Sequence, residues 1–280
     1  MSLEIKSLPG SEVEIFIEVP AEEFEKIYQE AREKALKNIS LNGFRPGKVP
    51  KELAEKNLDE GNVLKKTAEE AIRKFYFPVL IEKKIEAIGK PLITITKIAK
   101  GNSFCFKAKT AVLPEITLPD YRKIVAEIRN KVNDANGQSV GEEMKKRQKI
   151  QLDILEAISA ASEMEIPEVL VVAEKEKMLG EFKASIENMG MSWPDYLAHL
   201  QKSEDDLRKD WQEDALRRVK YGLILREFAE KENIEVNAEE VQSRVEEIIK
   251  QNPELDREYL QSYTYGIIRN EKVFEFLENI

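Results

Sequence analysis

Hydrophobic and charged residues alternate near the start of the chain, and the alternation then gives way to a longer period. Over 12–20 (EVEIFIEVP) apolar residues occupy every second position, as in a half-buried strand that ends at Pro20. Over 21–38 they recur every three or four positions, which predicts an amphipathic helix. Pro50 is suited to the first turn of a second helix. A strand followed by two helices is therefore predicted to open the first domain.

The same two periods continue to residue 113. The apolar residues of 61–87 predict a long helix with a kink or break at Pro78. Alternating runs over 91–99 and 103–113 flank a short turn that contains glycine and asparagine, which predicts an antiparallel hairpin. Residues 1–113 are thus predicted to form an α+β domain of order β-α-α-α-β-β.

Beyond the hairpin the sequence predicts only helices. The segment 129–143 lacks apolar periodicity and holds two glycines and three asparagines, so we assign 114–141 to a linker. Residues 142–280 show the helical period and predict an all-α domain. Its last segment, 253–279, predicts one helix or two, broken near Tyr265.

Capping residues indicate where the helices of this second domain begin and end. Pro167 begins a helix that Gly190 ends. Ser192 and Ser203 each precede acidic residues, as N-caps do, and Asn237 is predicted to cap a further helix. These boundaries divide the domain into several helices of moderate length.

Composition favours a folded protein of two domains without a membrane span. The chain has 280 residues, 42% of them hydrophobic, and no run approaches the ~18 uncharged apolar residues of a membrane helix. Residues 1–113 carry 20 Lys and Arg against 17 Asp and Glu, and the remaining residues carry 24 against 36. The slight cationic excess favours contact between the first domain and an anionic surface. The single cysteine and the absence of a signal-peptide pattern at the start lead us to expect a cytoplasmic protein.

A stiff connection, LNGFRPGKVP over 41–50, separates the two predicted helices of the first domain. Its glycines permit positive φ and its prolines restrict the turn, so the side chains between them are held outward. Arg45 and Lys48 can neutralise phosphates, and Phe44 can stack or fill a pocket, a combination suited to a ribonucleoprotein surface. The alternative is an ordinary interhelical loop whose phenylalanine packs into its own core.

The segment GFRPGKVP resembles the ribosome-binding signature of the trigger factor family, GFR-x-GK-x-P, in bacterial chaperones of nascent chains. Other segments resemble the same family in the same order: VEIFIEVPAEEFEK, VLPEITLPDYRKI, IPEVLVVAEKEKML, SWPDYLAHLQKSEDDLR and IEVNAEEVQSRVEEI. The resemblance implies an α+β domain that docks at the tunnel exit of the large ribosomal subunit, against RNA and protein. An elongated all-α chaperone domain with arm-like helices would follow. The implied ribosome-binding residues are Gly43, Phe44, Arg45, Gly47, Lys48 and Pro50.

Two departures from the family pattern bear on function. Pro46 stands where the family often has a basic residue, which removes one phosphate contact. The prolyl isomerase domain that usually lies between the two parts has no room here, because only the predicted linker joins them. We therefore expect a chaperone that is not an enzyme, with a prolyl isomerase and a general RNA-binding or scaffold protein as alternatives.

Other chemistry finds little support in the sequence. The lone His199 has no His or Cys at ligand spacing and is predicted to lie on a helix surface, and Cys105 between two phenylalanines is predicted to be a buried thiol. The two tryptophans, Trp193 and Trp211, are predicted to anchor packing. Nucleotide-binding and hydrolase motifs are missing, so we expect no cofactor, no metal and no ATP dependence.

Methionine-rich helices such as 167–190 are candidates for holding unfolded polypeptide, because the methionine side chain adapts to many shapes. The candidate client-binding residues are Met178, Phe182, Met189 and Met191. The alternative is that such residues belong to the core, which holds for most apolar positions. An exposed client surface also favours self-association, so we expect a homodimer of the free protein that buries part of it.

Overall fold

The computed structural model describes residues 2–40, 44, 49–133 and 140–280, the side chains of 131–133 and 140–144 excepted. The chain divides into two compact units, Met1–Pro114 and Glu115–Ile280. The first unit joins a sheet to helices and the second is built from helices, as the sequence predicts. Each unit has its own hydrophobic core.

The first unit contains a four-stranded antiparallel sheet with strand order β1-β2-β4-β3. Its strands are β1 (Ser2–Leu8), β2 (Glu12–Val19), β3 (Ala87–Lys97) and β4 (Phe104–Val112). The predicted hairpin is confirmed by β3 and β4, which pair across the turn at Gly101. Strands β1 and β3 lie at the two edges.

The structure corrects the start of this unit, which opens with β1 and not with the strand over 12–20. Strand β1 pairs with β2 along its whole length after a tight turn at Gly10 and Ser11, both at positive φ. As an edge strand it has a neighbour on one side and keeps most side chains exposed. Only Leu3 contacts the core, so its apolar signal is weak.

Three helices lie between β2 and β3 in the chain, and the first and third pack on one face of the sheet. They are α1 (Ala21–Asn38), α2 (Lys51–Lys56) and α3 (Glu60–Glu82). Phe24 of α1 stacks on Phe104 of β4 with ring centroids 4.8 Å apart, and both rings are buried. A kink or break is predicted at Pro78, and the break is wrong, because α3 continues through the proline and ends four residues later. Apolar residues of β2, β4, α1 and α3 thus form one core between sheet and helices.

The second unit contains eight helices within the described residues. They are α4 (Tyr121–Asn133), α5 (Val140–Ala161), α6 (Glu168–Asn188), α7 (Trp193–Leu200), α8 (Glu204–Asp210), α9 (Gln212–Lys231), α10 (Ala238–Gln251) and α11 (Arg257–Asn279). Side-chain caps from Ser192, Ser203 and Asn237 confirm the three predicted N-caps. Ser203 and Asp206 form a reciprocal capping box.

Two predictions for this unit need correction. Much of the segment assigned to a linker, 114–141, is helix α4, whose Tyr121 and Val125 are buried one turn apart in the core with Ile158. The break expected near Tyr265 is also absent, since α11 is continuous. Its neighbours Thr264 and Ile268 are buried, and that burial stabilises the helix through the glycine that follows Tyr265.

The helical unit has separate hydrophobic clusters rather than one continuous core. The largest joins α4, α5, α9 and α11 around Phe228. A second, aromatic cluster joins α6, α7 and α8 through Trp193 and Leu207. A third joins α10 and α11 through Val245 and Ile268. In addition, α6 packs on α9 and α10 packs on α11. Such helix pairs are in keeping with the arm-like helices that the sequence predicts.

Candidate functional site

The predicted binding loop connects α1 to α2. Phe44 is described and is 41% exposed, so its ring is not packed into the core of the first unit. Pro50 is exposed at the N-cap of α2, and its carbonyl oxygen accepts hydrogen bonds from the backbone N–H groups of Leu53 and Ala54, both at 3.0 Å. The other predicted residues lie outside the described residues: Gly43, Arg45, Gly47 and Lys48.

A polar contact fixes the helices on both sides of this loop. The Tyr28 hydroxyl on α1 donates a hydrogen bond to the Glu60 carboxylate at the start of α3. Arg32, one turn along α1, lies 3.5 Å from Glu60 and 3.8 Å from Glu55 of α2. The Arg32 guanidinium of α1 thus links all three helices, because it contacts one carboxylate on α2 and one on α3.

Burial and the neighbouring carboxylate also raise the pKa of Tyr28 to about 12. The hydrogen bond from Tyr28, with Arg32 nearby, lowers the pKa of Glu60 below its usual value. Glu60 therefore remains ionised and Tyr28 remains protonated at neutral pH. The hydrogen bond keeps its charge-assisted form throughout the physiological range.

An apolar cluster lies under the same contact. Tyr28 and Ala31 of α1 are buried against Val63 of α3, and Leu58 between α2 and α3 packs on them. Asp59 caps α3 by accepting a hydrogen bond from the Asn62 backbone N–H at 3.0 Å. The helices on both sides of the loop are therefore held against α3 by apolar contacts as well as by polar ones.

A groove of about 600 Å³ runs between α1 and α3 beside these contacts. Its lining includes the apolar or small residues Ile27, Ala31 and Ala35, and the charged residues on the two helices are of both signs. Because charges of both signs line the groove, its electrostatic potential is neither strongly positive nor strongly negative. The groove is therefore as suited to contact with protein as to contact with phosphate.

The structure corrects one of the predicted client-binding residues. Met178 is 8% exposed and lies in a cluster with Val171 and Ala215, where α6 packs on α9. A client cannot reach this side chain without displacing the helix pair. The sequence correctly predicts that Met178 lies on the apolar face of its helix, but this face packs in the core and is not exposed to clients.

Phe182 also has a packing role. Its ring contacts Trp193, Tyr196 and Trp211 in edge-to-face geometry, with centroids 5.4–6.0 Å apart. The Trp193 indole N–H donates to Glu204 Oε1 at 2.8 Å, which joins α7 to α8. The two tryptophans expected to anchor packing therefore do so, with Phe182 between them.

Met189 and Met191 are exposed, as a client surface requires. Met189 is 77% exposed and Met191 46%, on either side of Gly190 at the end of α6. Gly190 has a φ of +85° and ends the helix, which turns the chain and leaves both side chains outside the aromatic cluster. His199, exposed as predicted, lines a shallow depression next to them.

A second exposed apolar group escaped prediction. Tyr259 and Tyr263 stack on the surface of α11 with centroids 6.1 Å apart, and Leu255 precedes them. The helical period is visible in the sequence, but it does not show which face of α11 lies against α10. Among the described side chains of the helical unit, the exposed large apolar residues are Leu152, Val169, Val172, Met189, Met191, Leu200, Leu216, Leu255, Tyr259, Tyr263 and Tyr265.

The described residues contain no cluster of His, Cys, Asp and Glu with the geometry of a metal site. Among them, no helix has the length and apolar character needed to cross a membrane. Cys105 is buried, as predicted, with a free thiol.

Comparison with known proteins identifies both parts of the chain. The family model described as "Bacterial trigger factor protein (TF)" matches residues 1–147, and "Bacterial trigger factor protein (TF) C-terminus" matches 125–278. The two matches overlap, so no unmatched segment separates them.

Individual relatives match mainly over part of the chain. The trigger factor of Rhodococcus opacus (strain B4) is 38% identical over 124 residues, which is 44% of this chain and 27% of that protein. The trigger factor of Agathobacter rectalis is 35% identical over 135 residues, 48% of this chain and 30% of that protein. The chain thus matches less than a third of the length of each.

A solved structure has the same fold along nearly the whole chain. It is described as "Promiscuous Substrate Recognition in Folding and Assembly Activities of the Trigger Factor Chaperone", with a TM-score of 0.60, 13% identity and coverage of 99% of both chains. One family model matches more than half of the chain and the other most of the remainder, so the chain belongs to the bacterial trigger factor family.

Proposed function

We propose that this protein is an ATP-independent cytoplasmic chaperone that docks at the exit of the ribosomal tunnel and holds unfolded polypeptide. The observation that carries the proposal is the exposed Phe44 between α1 and α2, two helices that the Arg32–Glu55 ion pair joins. An exposed phenylalanine between two helices, in a chain of this family, supports docking rather than a packing role.

Docking would combine one aromatic contact with two charge contacts. Phe44 would fill a pocket or stack on a base, and Arg45 and Lys48 would pair with phosphate or carboxylate groups at the tunnel exit. Because about two charges are involved, binding would weaken with salt less steeply than it does for DNA-binding proteins.

Holding would use the exposed apolar residues of the helical unit. Met189 and Met191 form one patch, and Leu255, Tyr259 and Tyr263 form another. Small separate patches would bind an unfolded chain at several weak points, so that release needs no nucleotide hydrolysis. Residues 114–141, which would join the docking part to the holding part, include a helix of the second core, so we place the functional boundary near Pro114.

The docking proposal is tested by replacing Phe44, Arg45 and Lys48 with alanine and measuring co-sedimentation with ribosomes. The matched control replaces Phe77, Lys83 and Lys90, an exposed phenylalanine and two exposed lysines that do not line the groove between α1 and α3. We expect the loop variant to be lost from the ribosomal pellet and the control to remain. Retention of the loop variant would overturn the assignment, as would equal loss of both.

Isomerase activity is the rival that the family raises. We propose that this chain lacks it, since the two family matches adjoin without an inserted domain. A proline-limited refolding assay should show no acceleration above buffer, whereas acceleration proportional to protein concentration would favour the isomerase. Binding of naked RNA as tightly as ribosomes would favour the RNA-binding alternative.

A further inference from the structure

Two methionines and a histidine share one surface where α6 ends and α7 begins. Met189, Met191 and His199 are all exposed, and all three line the same shallow depression of about 510 Å³. The other described residues of this lining are small or acidic, and none of them is Lys or Arg. Two thioether groups and one imidazole therefore meet solvent together, and within the described lining no cationic side chain lies between them.

The short turn between α6 and α7 keeps both methionines next to the second helix. Gly190 has a φ of +85°, and the Met191 backbone N–H donates to the Ile186 carbonyl oxygen at 3.3 Å, which closes the C-terminal turn of α6. Ser192 then caps α7 by accepting a hydrogen bond from the Asp195 backbone N–H at 3.3 Å. Only 189–192 separate the two helices, so these residues remain beside α7.

The packing of α7 determines which of its residues border the depression. Trp193 and Tyr196 are turned to the aromatic cluster, where their ring centroids lie 6.0 and 5.5 Å from that of Phe182. Asp195 and His199, four residues apart, lie together on another face of the helix and are exposed. Because the aromatic side anchors α7, the imidazole is held on the side that borders the depression.

The three side chains match the preference of one class of metal ion. Thioether sulfur is a soft ligand that selects Cu(I), and imidazole nitrogen also suits copper. Mg²⁺ and Ca²⁺ prefer sets of oxygen ligands, and Zn²⁺ prefers cysteine, histidine and carboxylate. The methionine side chain has three rotatable bonds, so both sulfurs can adjust to one ion without movement of the backbone.

We propose that Met189, Met191 and His199 form a binding site for a soft monovalent ion, Cu(I). Two thioether sulfurs and one imidazole nitrogen are its ligands, and the ion binds without a change of oxidation state. The Asp195 carboxylate at the same depression favours a cation there by its charge. His199 has no His or Cys at ligand spacing, which is why no metal is expected from the sequence, and the thioethers supply the missing partners.

One further soft ligand must be separated from this site. Cys105 is the single cysteine of the chain and lies buried in the first unit, whereas the proposed ligands are exposed in the second. A thiolate also selects Cu(I). The variant Cys105→Ser is therefore measured beside the wild type, and it should bind the ion equally well.

Competition with a chromophoric Cu(I) chelator under anaerobic conditions measures the affinity of the full chain. M189L/M191L and His199→Asn should each raise the Kd by at least about tenfold, the loss that removal of an outer-shell partner alone causes at a metal site. Leucine and methionine have similar volumes, so M189L/M191L removes the sulfurs and keeps the apolar surface. The matched control Met178→Leu makes the same exchange at a buried position and should leave the Kd unchanged.

Nuclear magnetic resonance of methyl-labelled methionine locates the ion. Ag(I) is the probe, because it has the charge and the soft character of Cu(I) and is not oxidised in air. The chain has six methionines, and the signals of Met189 and Met191 should shift with an equimolar amount of Ag(I) while the signal of Met178 stays in place. Zn²⁺ and Mg²⁺ at the same concentration should leave all of these signals unshifted.

The leucine variant also separates the metal site from the proposed holding of clients, on which it does not depend. M189L/M191L should suppress client aggregation as well as wild type does while it loses Cu(I), and M189A/M191A should be weaker in both. A wild-type chain that binds Cu(I) through these residues but holds no client would refute the holding function alone.

Three results would overturn the proposal. The first is a wild-type chain that takes Cu(I) from the chelator no better than M189L/M191L does. The second is loss of binding in Cys105→Ser with retention in M189L/M191L, which would place the ion on the thiol. The third is a shift of the Met189 and Met191 signals with Zn²⁺ equal to that with Ag(I), because thioether ligands do not select zinc.

Discussion

Met178 and Met189 lie close to the same helix axis, within α6 and at its C-cap, and replacing each with alanine should have opposite effects on stability and on client binding. Met178 is 8% exposed and packs on Ala215, whose side chain is too small to fill the space that a truncated neighbour leaves. Met189 is 77% exposed at the end of the helix. The two substitutions remove the same atoms, so the difference between them measures the environment alone.

The magnitudes follow from burial. Truncating a buried methionine to alanine costs about 2–5 kcal/mol, and we expect about 3 kcal/mol for Met178→Ala. An exposed substitution such as Met189→Ala stays within about 0.5 kcal/mol of wild type. With m-values of about 1–3 kcal/mol/M in urea, Met178→Ala should lower the urea midpoint by about 1 M or more.

Tryptophan fluorescence is a suitable signal for this comparison. The chain has two tryptophans, and both Trp193 and Trp211 lie beside Phe182 in the aromatic cluster that α6 shares. Below the unfolding range, Met178→Ala should suppress aggregation of a denatured client as well as wild type does. M189A/M191A should be as stable as wild type and weaker in suppression. If Met189→Ala shifts the midpoint as much as Met178→Ala does, the assignment of burial is wrong.

Three further outcomes are expected. Because the pKa of Tyr28 is raised to about 12, its protonated phenol contributes stability that is complete below pH ~10 and is lost as pH rises towards 12. Absorbance titration should show a component near 12 that Tyr28→Phe removes. Val125→Asp should unfold much of the helical unit, because it places a charge in the core, while Lys123→Asp on the exposed side of α4 should change the urea midpoint little. Equal effects of the two substitutions would show that α4 does not belong to the core. Residues 115–280 alone should suppress client aggregation without ATP, and failure in excess would remove the holding mechanism.

Local patterns were sufficient for the sheet, the caps and most helices. Strand β2 alternates without interruption because one of its faces is buried, and Ser203 with Asp206 forms a cap within four residues. Strand β1 was not predicted because an edge strand has little to bury. The sequence predicts a linker in place of α4 because the glycines and asparagines after it break the apolar period, although Tyr121 and Val125 have helical spacing.

The sequence does not predict which apolar residues of the helical unit are exposed to clients. Met178 and Met189 belong to one methionine-rich segment, and periodicity alone cannot tell which of them meets Ala215 on α9. Tyr259 and Tyr263 were equally ambiguous, since a stripe of apolar residues on a helix normally faces a neighbour. The binding loop differs from these helices, because an aromatic residue and two cations in a stiff turn themselves indicate stacking and contact with phosphate.

A photo-crosslinking amino acid in place of Phe44 tests ribosome docking most directly, since it reports contact at that position. The matched probe replaces Phe77, an exposed phenylalanine on the far half of α3. With purified ribosomes, position 44 should crosslink to RNA or protein of the large subunit at the tunnel exit, and position 77 should give no such product. Equal products from both positions, or none from position 44 when the chain is present in excess, would contradict docking through this loop.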